Sequence, residues 1–217
     1  MIPALVVPVL TRPELLYRML GSIDAPVEHV IVIDNGNCVS TGAARKSTDQ
    51  SRRVSVVHMP ANLGVAGSWN LGIKAAPFAP WWLIANFDIV WPVGALAEFA
   101  AHGTPDALVL SGGSPEWAAF ILGENVVRRA GVFDESFVPA YYEDTEYQWR
   151  CEALGVPIIR SGVWVHHDNS STLKAGFMDR NARTYDNNGA YCADKINRGD
   201  LTDGRWSLDR RRELTWD

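Results

Sequence analysis

Short apolar runs separated by polar, turn-rich stretches organise the first ninety residues. Residues 4–9, 30–33, 54–57 and 82–85 are compact clusters of Val, Ile, Leu, Ala and Trp, interrupted only by Pro8 and Ser55. Such runs predict strands buried on both faces, as in a parallel sheet. Between them the spacing changes to that of helices. After the first run, Thr11-Arg12-Pro13-Glu14 has the form of a capping box, with Thr11 capping, Glu14 reaching back and Pro13 tolerated in the first turn. Leu15, Leu16, Met19 and Leu20 then share one face, and Gly21 is a natural stop. The second run ends in Asp34-Asn35-Gly36-Asn37, a turn signal headed by a carboxylate. Residues 38–52 read as a loop with room for one short helix. Asn62-Leu63-Gly64 leads into a helical pattern over 66–76 through Trp69, Ile73 and Ala76.

This alternation predicts a right-handed α/β fold with a mostly parallel central sheet and helices on both faces. A helix over 92–101 and a strand over 107–110 extend it. Beyond Gly112-Gly113 the pattern becomes mixed. There, Asp144 stands as the N-cap of a helix carrying Tyr147, Cys151 and Leu154, closed by Gly155 and Pro157. A further helix is predicted over 178–196, with Met178, Ala182, Tyr185, Cys192 and Ile196 at helical spacing. The last twenty residues place Trp206, Leu208, Leu214 and Trp216 around Arg210-Arg211-Arg212. A docked or solvated tail is the simplest reading; a partner chain or a membrane surface are the others.

Composition narrows the classes. At 217 residues the chain is long enough for one domain with a substantial core. A net charge of -5 argues against a nucleic-acid binder that neutralises phosphates. No apolar run approaches the ~20 residues that span a bilayer. The start lacks a basic n-region, so no signal peptide is expected. Three scattered cysteines, Cys38, Cys151 and Cys192, suggest reduced thiols and a cytoplasmic setting.

The candidate chemistry begins with Asn86-Phe87-Asp88, which breaks the 82–85 run. In open α/β sheets, ligands bind at the carboxyl ends of strands. A carboxylate there is hydrogen-bonded, meets a cation, or neutralises. A divalent cation at Asp88 is the reading carried forward.

Asp34, Asp88, Asp144 and His166 all fall at predicted strand ends or helix starts. With residues 6–12 (Val-Val-Pro-Val-Leu-Thr-Arg), Asn62-x-Gly64 through Asn70-x-Gly72, residues 131–135 (Gly-Val-Phe-Asp-Glu) and Tyr142-Glu143-Asp144, the chain resembles a GT-A glycosyltransferase of family 2 from residue 4 to about 172. The resemblance implies a Rossmann-like nucleotide-binding half and a mixed acceptor half in one domain over 1–172. Residues 173–217 would form a C-terminal helical extension, a possible route to a homo-oligomer.

By that resemblance Pro8, Thr11, Arg12 and Asp34 hold the base and ribose of a UDP- or dTDP-sugar. Asn62, Gly64, Gly67 and Asn70 lie against the nucleotide, and the helix that follows offers its N-terminus to phosphate. Asn86 and Phe87 complete the donor site. Asn86 stands where the family often has a first Asp, and rhamnosyltransferase-like members often carry Asn-Pro-Asp there. Asp88 and His166, with His167 one register step away, would hold Mn²⁺ or Mg²⁺. Trp117 and Phe120 shape the sugar pocket, and Tyr141 and Tyr142 flank the acidic pair Glu143-Asp144. That pair supplies the general base, assigned to Asp144, and in-line attack on an acceptor hydroxyl implies inversion. Trp69, Trp81, Trp82 and Trp164 are assigned to the core. Two other readings stand behind the transferase: a non-catalytic sugar-nucleotide or glycan-binding domain, and a sugar nucleotidyltransferase. The last ranks low, because Thr11-Arg12-Pro13-Glu14 has one Arg and no glycine to cradle a triphosphate.

Overall fold

The computed structural model describes residues 1–113, 115–168 and 178–202, the side chains of 178–183 excepted. The tail around Trp206 and Arg210 lies outside these residues. Strands β1 (Leu5–Val9), β2 (Val27–Asp34), β3 (Ser51–His58) and β4 (Trp81–Ala85) form a parallel block. Helices α1 (Pro13–Gly21), α2 (Thr41–Lys46) and α3 (Gly64–Ala75) connect them. Next come the short strand β5 (Ile89–Val90), helix α4 (Ala95–Ala100), β6 (Leu108–Gly112), β7 (Ala119–Gly123) and α5 (Glu124–Ala130). The chain continues with α6 (Glu143–Ala153), β8 (Ile158–Trp164), β9 (His166–His167) and α7 (Met178–Asn197). The main sheet has seven strands in the order β3-β2-β1-β4-β7-β6-β8, and β5 pairs with β9 in a separate ribbon. Only β7 runs against its neighbours, pairing antiparallel with β4 and β6.

Period-2 alternation divides the core into two layers. Leu5, Val7 and Val9 face Leu16, Met19 and Phe99, whereas Ala4 and Val6 face Trp69, Ile73 and Phe133. Gly72 explains how closely α3 lies on the sheet. A Cβ there would sit 2.1 Å from a methyl of Val6, so only a glycine admits the strand at that distance.

Two capping expectations fail. The residue before α1 is Arg12 in a left-handed conformation (φ 55°), with no side-chain cap, and Glu14 pairs with Arg12 Nε at 3.0 Å. Pro13 explains the failure: at the first helical position it fixes the entry, and Thr11 is displaced to a site where its hydroxyl is buried without a partner. Likewise α6 starts at Glu143, preceded by Tyr142 at φ 71°, so Asp144 lies inside the first turn. There it favours the positive helix end as a first-turn charge. Trp164, expected in the core, is half exposed on the edge strand β8, its ring against His166. Residues 119–123 were not expected as a strand, although their apolar run ends at Gly123 as the others end at turn formers. Among the described residues no helix is long and apolar enough to cross a membrane.

Helix α7 is built into the body. Asn188 donates to the carbonyls of Ala140 and Tyr141, and Tyr191 donates to Asp134 Oδ2 at 2.9 Å. Lys195, fully buried, pairs with Asp134 at 2.7 Å and with Glu146 at 2.9 Å. Glu146 also takes Arg150 through both carboxylate oxygens, at 3.0 and 2.7 Å, and Arg150 donates further to the carbonyls of Ala130 and Val132. Removing one member of such a buried group leaves charge uncompensated and costs about 3–5 kcal/mol. Lys195→Met is therefore expected to lower unfolding stability by that amount in urea denaturation. A loss under about 1 kcal/mol would contradict this role.

Candidate active site

Because β1, β2 and β4 run parallel, the residues after them gather along one edge of the sheet. Asp34 is fully buried. Its Oδ1 accepts from Cys38 N–H at 3.0 Å, and its Oδ2 accepts from Val39 N–H at 2.9 Å and meets His58 Nδ1 at 2.8 Å. Burial opposes its ionisation, but the Val39 and Cys38 amides and His58 outweigh it and hold the carboxyl below its usual range. Asp34 thus shapes the loop after β2, and its oxygens are occupied by that loop. Pro8 pairs in register with Ile33 inside the sheet. Arg12 is on the surface with Glu14.

The segment after β3 also serves the frame first. Leu63 N–H donates to Asn35 Oδ1, Gly64 N–H to Asn62 Oδ1, and Val65 N–H to the Pro139 carbonyl. The N-terminal amides expected to meet phosphate are thus matched within the protein. Gly64, at φ 75°, lets the chain pass Pro139, where a Cβ would come within 2.8 Å of its carbonyl oxygen. Gly67 faces Leu63 and Glu135. Asn70 is fully buried, its amide donating to the Phe133 carbonyl and Glu135 and accepting from Phe133 N–H. It clamps α3 to residues 133–135, and that replaces the nucleotide contact expected of it. Phe87 is likewise packed in the core on the α1 side.

At the end of β4 the β5–β9 ribbon brings Asp88 beside His167. His167 Nε2 lies 3.1 Å from Asp88 Oδ1 and 3.4 Å from Asn86 Nδ2. His166 is exposed against Trp164, so the register of β9 puts His167, and not His166, at this corner. A further tie comes from Asp168, whose N–H donates to the Asp88 carbonyl and whose carboxylate pairs with Arg18 of α1. Among the described residues no cluster of three or more His, Cys, Asp or Glu is placed to hold a metal. The carboxylate, imidazole and amide here still form a donor set that suits a divalent cation sharing oxygen ligands with something else. His167 turns Nε2 to this corner, and its Nδ1 is buried on the other side of the ring without a partner.

From Asn86 a cavity of about 340 Å³ runs to the start of α6, where Glu143 and Asp144 line it together with Trp69, Trp117 and Tyr142. Asp144 is half buried and accepts from Thr145 N–H at 2.7 Å. Glu143 is buried, and its Oε2 has no hydrogen-bond partner. Burial, then the charge of Asp144, pushes its carboxyl up to about 8. The pair therefore divides into a buried acid that is neutral near pH 7 and a more accessible partner, Asp144. Trp117 stacks on Trp69 at 6.4 Å and donates weakly to Gln148 at 3.4 Å, while Phe120 is buried beneath both rings. Sequence reasoning assigned Trp69 to the core. It does pack there, but its edge also reaches the cavity, which helical periodicity does not distinguish. Tyr185 of α7 closes the cavity against Tyr141 and Tyr142.

The seven-stranded, mostly parallel sheet is that of the GT-A fold. Staphylococcus aureus TarS (residues 1–349, in complex with UDP) has a TM-score of 0.56 at 15% identity, over 74% of this chain and 57% of that one. GalNAc-T7, solved with UDP, GalNAc and Mn²⁺, has a TM-score of 0.61 at 11% identity, over 77% of this chain and 44% of that one. In sequence, residues 4–110 match the family described as glycosyl transferase family 2. A galactofuranosyl glycosyltransferase from Leishmania donovani is 35% identical over 97 residues, which is 44% of this chain and 22% of that protein. The chain thus spans about a fifth of that relative and just over half of the TarS chain. The segment 4–110, just under half of the chain, is similar to glycosyl transferase family 2.

The Glu143 environment has a measurable consequence. Between pH 4.5 and about 8 the folded protein keeps a proton on Glu143 that the unfolded chain has released. Stability contributed by this group is therefore full below pH 4.5 and falls as pH rises through that window, on the order of 1.4 kcal/mol per pH unit at most. In urea denaturation at pH 5 and pH 8, wild type is expected to lose more stability than Glu143→Gln. Parallel losses in the two proteins would remove the case for a neutral Glu143.

Proposed function

We propose that the protein is an inverting glycosyltransferase that moves a sugar from a UDP- or dTDP-sugar to an acceptor hydroxyl, assisted by Mn²⁺ or Mg²⁺. One observation carries this reading: a single cavity joins Asn86, beside the Asp88–His167 corner, to Glu143-Asp144. Such a path has the two ends a displacement requires, a site for the leaving diphosphate and a base across the sugar from it. UDP in the TarS structure, and UDP with Mn²⁺ in that of GalNAc-T7, support the kind of ligand.

Asp88 and His167 would hold the cation, with diphosphate oxygens completing its ligands, and the cation would supply Lewis-acid stabilisation of the charge growing on the leaving group. Asp144 accepts the proton of the acceptor hydroxyl as that oxygen attacks the anomeric carbon. The bond from that carbon to the diphosphate oxygen breaks, and its electron pair leaves with the nucleoside diphosphate. One base acting in line inverts the anomeric configuration. Thr145 N–H keeps Asp144 oriented for this role. The transferred unit is a hexosyl or deoxyhexosyl group. Asn86 supports a rhamnosyltransferase-like branch, and the Leishmania relative supports a galactofuranosyl donor as the other candidate. The three cysteines, all free, are consistent with the reducing cytoplasm proposed for it.

Asp144→Asn should reduce transfer by about 10²–10⁴-fold while donor binding survives. Donor binding with no transfer in either protein would instead favour the non-catalytic sugar-nucleotide domain. In a thermal-shift panel of nucleotide sugars, one donor should raise Tm only with Mn²⁺ or Mg²⁺ present, and Asp88→Ala should abolish that rise. A metal-independent rise that persists in Asp88→Ala would remove the cation from this corner.

A further inference from the structure

The corner formed by Asp88 and His167 depends on a very short ribbon, in which Ile89 pairs with His167 and Val90 with His166. Side chains alternate along a strand, so a slip of one residue would turn His167 out and bring His166 in. A two-stranded ribbon of this length is marginal by itself, so its register is set from outside. On the β5 side the support is plain. Ile89 and Trp91 are buried in the core layer that contains α1. Trp91 N–H donates to Ser22 Oγ at 3.1 Å, and Gly94 N–H donates to Asp24 Oδ2 at 2.6 Å. Ser22 caps the end of α1, and Asp24 follows it. On the β9 side Val165 is buried, whereas His166 is exposed. Beyond His167 the strand is tied by Asp168. Its N–H donates to the Asp88 carbonyl at 3.0 Å, and its carboxylate pairs with Arg18, which lies 150 residues away in the last turn of α1. The end of α1 therefore braces both strands of the ribbon.

We propose that Arg18 is a positioning residue for the cation: by holding the Asp168 carboxylate, it fixes β9 in the register that presents His167 Nε2 to Asp88. This rests on the reading of that corner as a cation site. Both side chains of the pair are 44% exposed, and an ion pair so open to water contributes little to overall stability. Its effect is local, exerted on a strand of two residues. Arg18 acts on a cation in two opposed ways. As a positive charge it repels one; as the brace of β9 it keeps the imidazole in place. The brace prevails in this proposal, so the sign of the change on removing Arg18 tells the two apart. Partners that orient a metal's ligands from outside are worth about 10–100-fold in metal affinity.

Calorimetric titration tests this with UDP or dTDP, whichever binds wild type tighter. A series of Mn²⁺ concentrations gives the apparent Mn²⁺ affinity, and a titration in EDTA gives the nucleotide affinity without metal. Arg18→Met should weaken the apparent Mn²⁺ affinity roughly tenfold and leave the nucleotide affinity in EDTA within about twofold. Asp168→Asn, which keeps the backbone N–H, should do likewise, and the double variant should be no worse than either alone. Arg18→Lys retains a cation and should restore most of the affinity. In circular dichroism melts without metal, Arg18→Met should stay within about 4 °C of wild type. Tighter or unchanged Mn²⁺ binding in Arg18→Met, or a larger fall in its Tm, would overturn the positioning role while leaving the cation at Asp88. Wild type that binds neither nucleotide, or binds without regard to Mn²⁺, would overturn both.

Discussion

Four ionised side chains with no exposure to water, Asp134, Glu146, Arg150 and Lys195, hold the second half of the molecule together. Removing charge from water costs several kcal/mol per ion, and the attraction between partners offsets that cost only when the geometry is complete. Here two anions meet two cations, and the remaining donors reach backbone carbonyls at residues 130 and 132. The partners come from the loop after α5, from α6 and from α7, so none of these can settle until all have arrived. Glu146 lies one turn beyond Glu143-Asp144. Whatever fixes Glu146 and Arg150 therefore fixes where the acidic pair enters the cavity.

A second set of contacts links this half to the parallel half of the sheet. Asn70 spans α3 and the 133–135 segment with three hydrogen bonds, and Val65 N–H reaches Pro139. Gly72 presses α3 against β1. The position of Trp69 in the cavity follows from these three restraints together. A side chain that looks like core mass is placed by core packing, and it also lines the cavity. The β5–β9 ribbon does the equivalent on the other side: only two residues long, it sets the register that brings His167 to Asp88 and turns His166 outward.

Much of the parallel half was legible because its strands are apolar on both faces and end in turn formers; the runs at 4–9, 30–33 and 82–85 are of this kind. Strand β7 was missed because an antiparallel strand in the centre of a parallel sheet is just as apolar, and nothing in residues 119–123 announces direction. Local capping rules failed at Thr11 and Asp144 for a common reason. Both helices are entered through a left-handed residue, Arg12 or Tyr142, a backbone choice that side-chain patterns do not reveal. Asp88 and Glu143-Asp144 were legible as chemistry. Glu143-Asp144 line the cavity that reaches Asn86, and Asp88 lies beside that end without lining it. The assignments at Asp34 and Asn70 shifted toward scaffolding, because long-range partners such as His58 and Phe133 have no local signature. Lys195 and Glu146 carried no signal as partners either: 49 residues apart, they meet only after the fold has formed.

The unmatched polar atoms are not scattered evenly. Of the six buried side-chain atoms without a partner among the described residues, Trp69 Nε1 and Glu143 Oε2 belong to the cavity and His167 Nδ1 to the Asp88 corner. A fourth, Thr11 Oγ1, follows the end of β1 on the same edge of the sheet. The other two, Ser51 Oγ and Trp91 Nε1, lie away from the cavity. Glu143 is a case in which burial sets the chemistry: set beside Asp144 and out of water, its carboxyl is pushed up to about 8, so the free protein is weakened as pH rises through that range while Asp144 stays the accessible member of the pair.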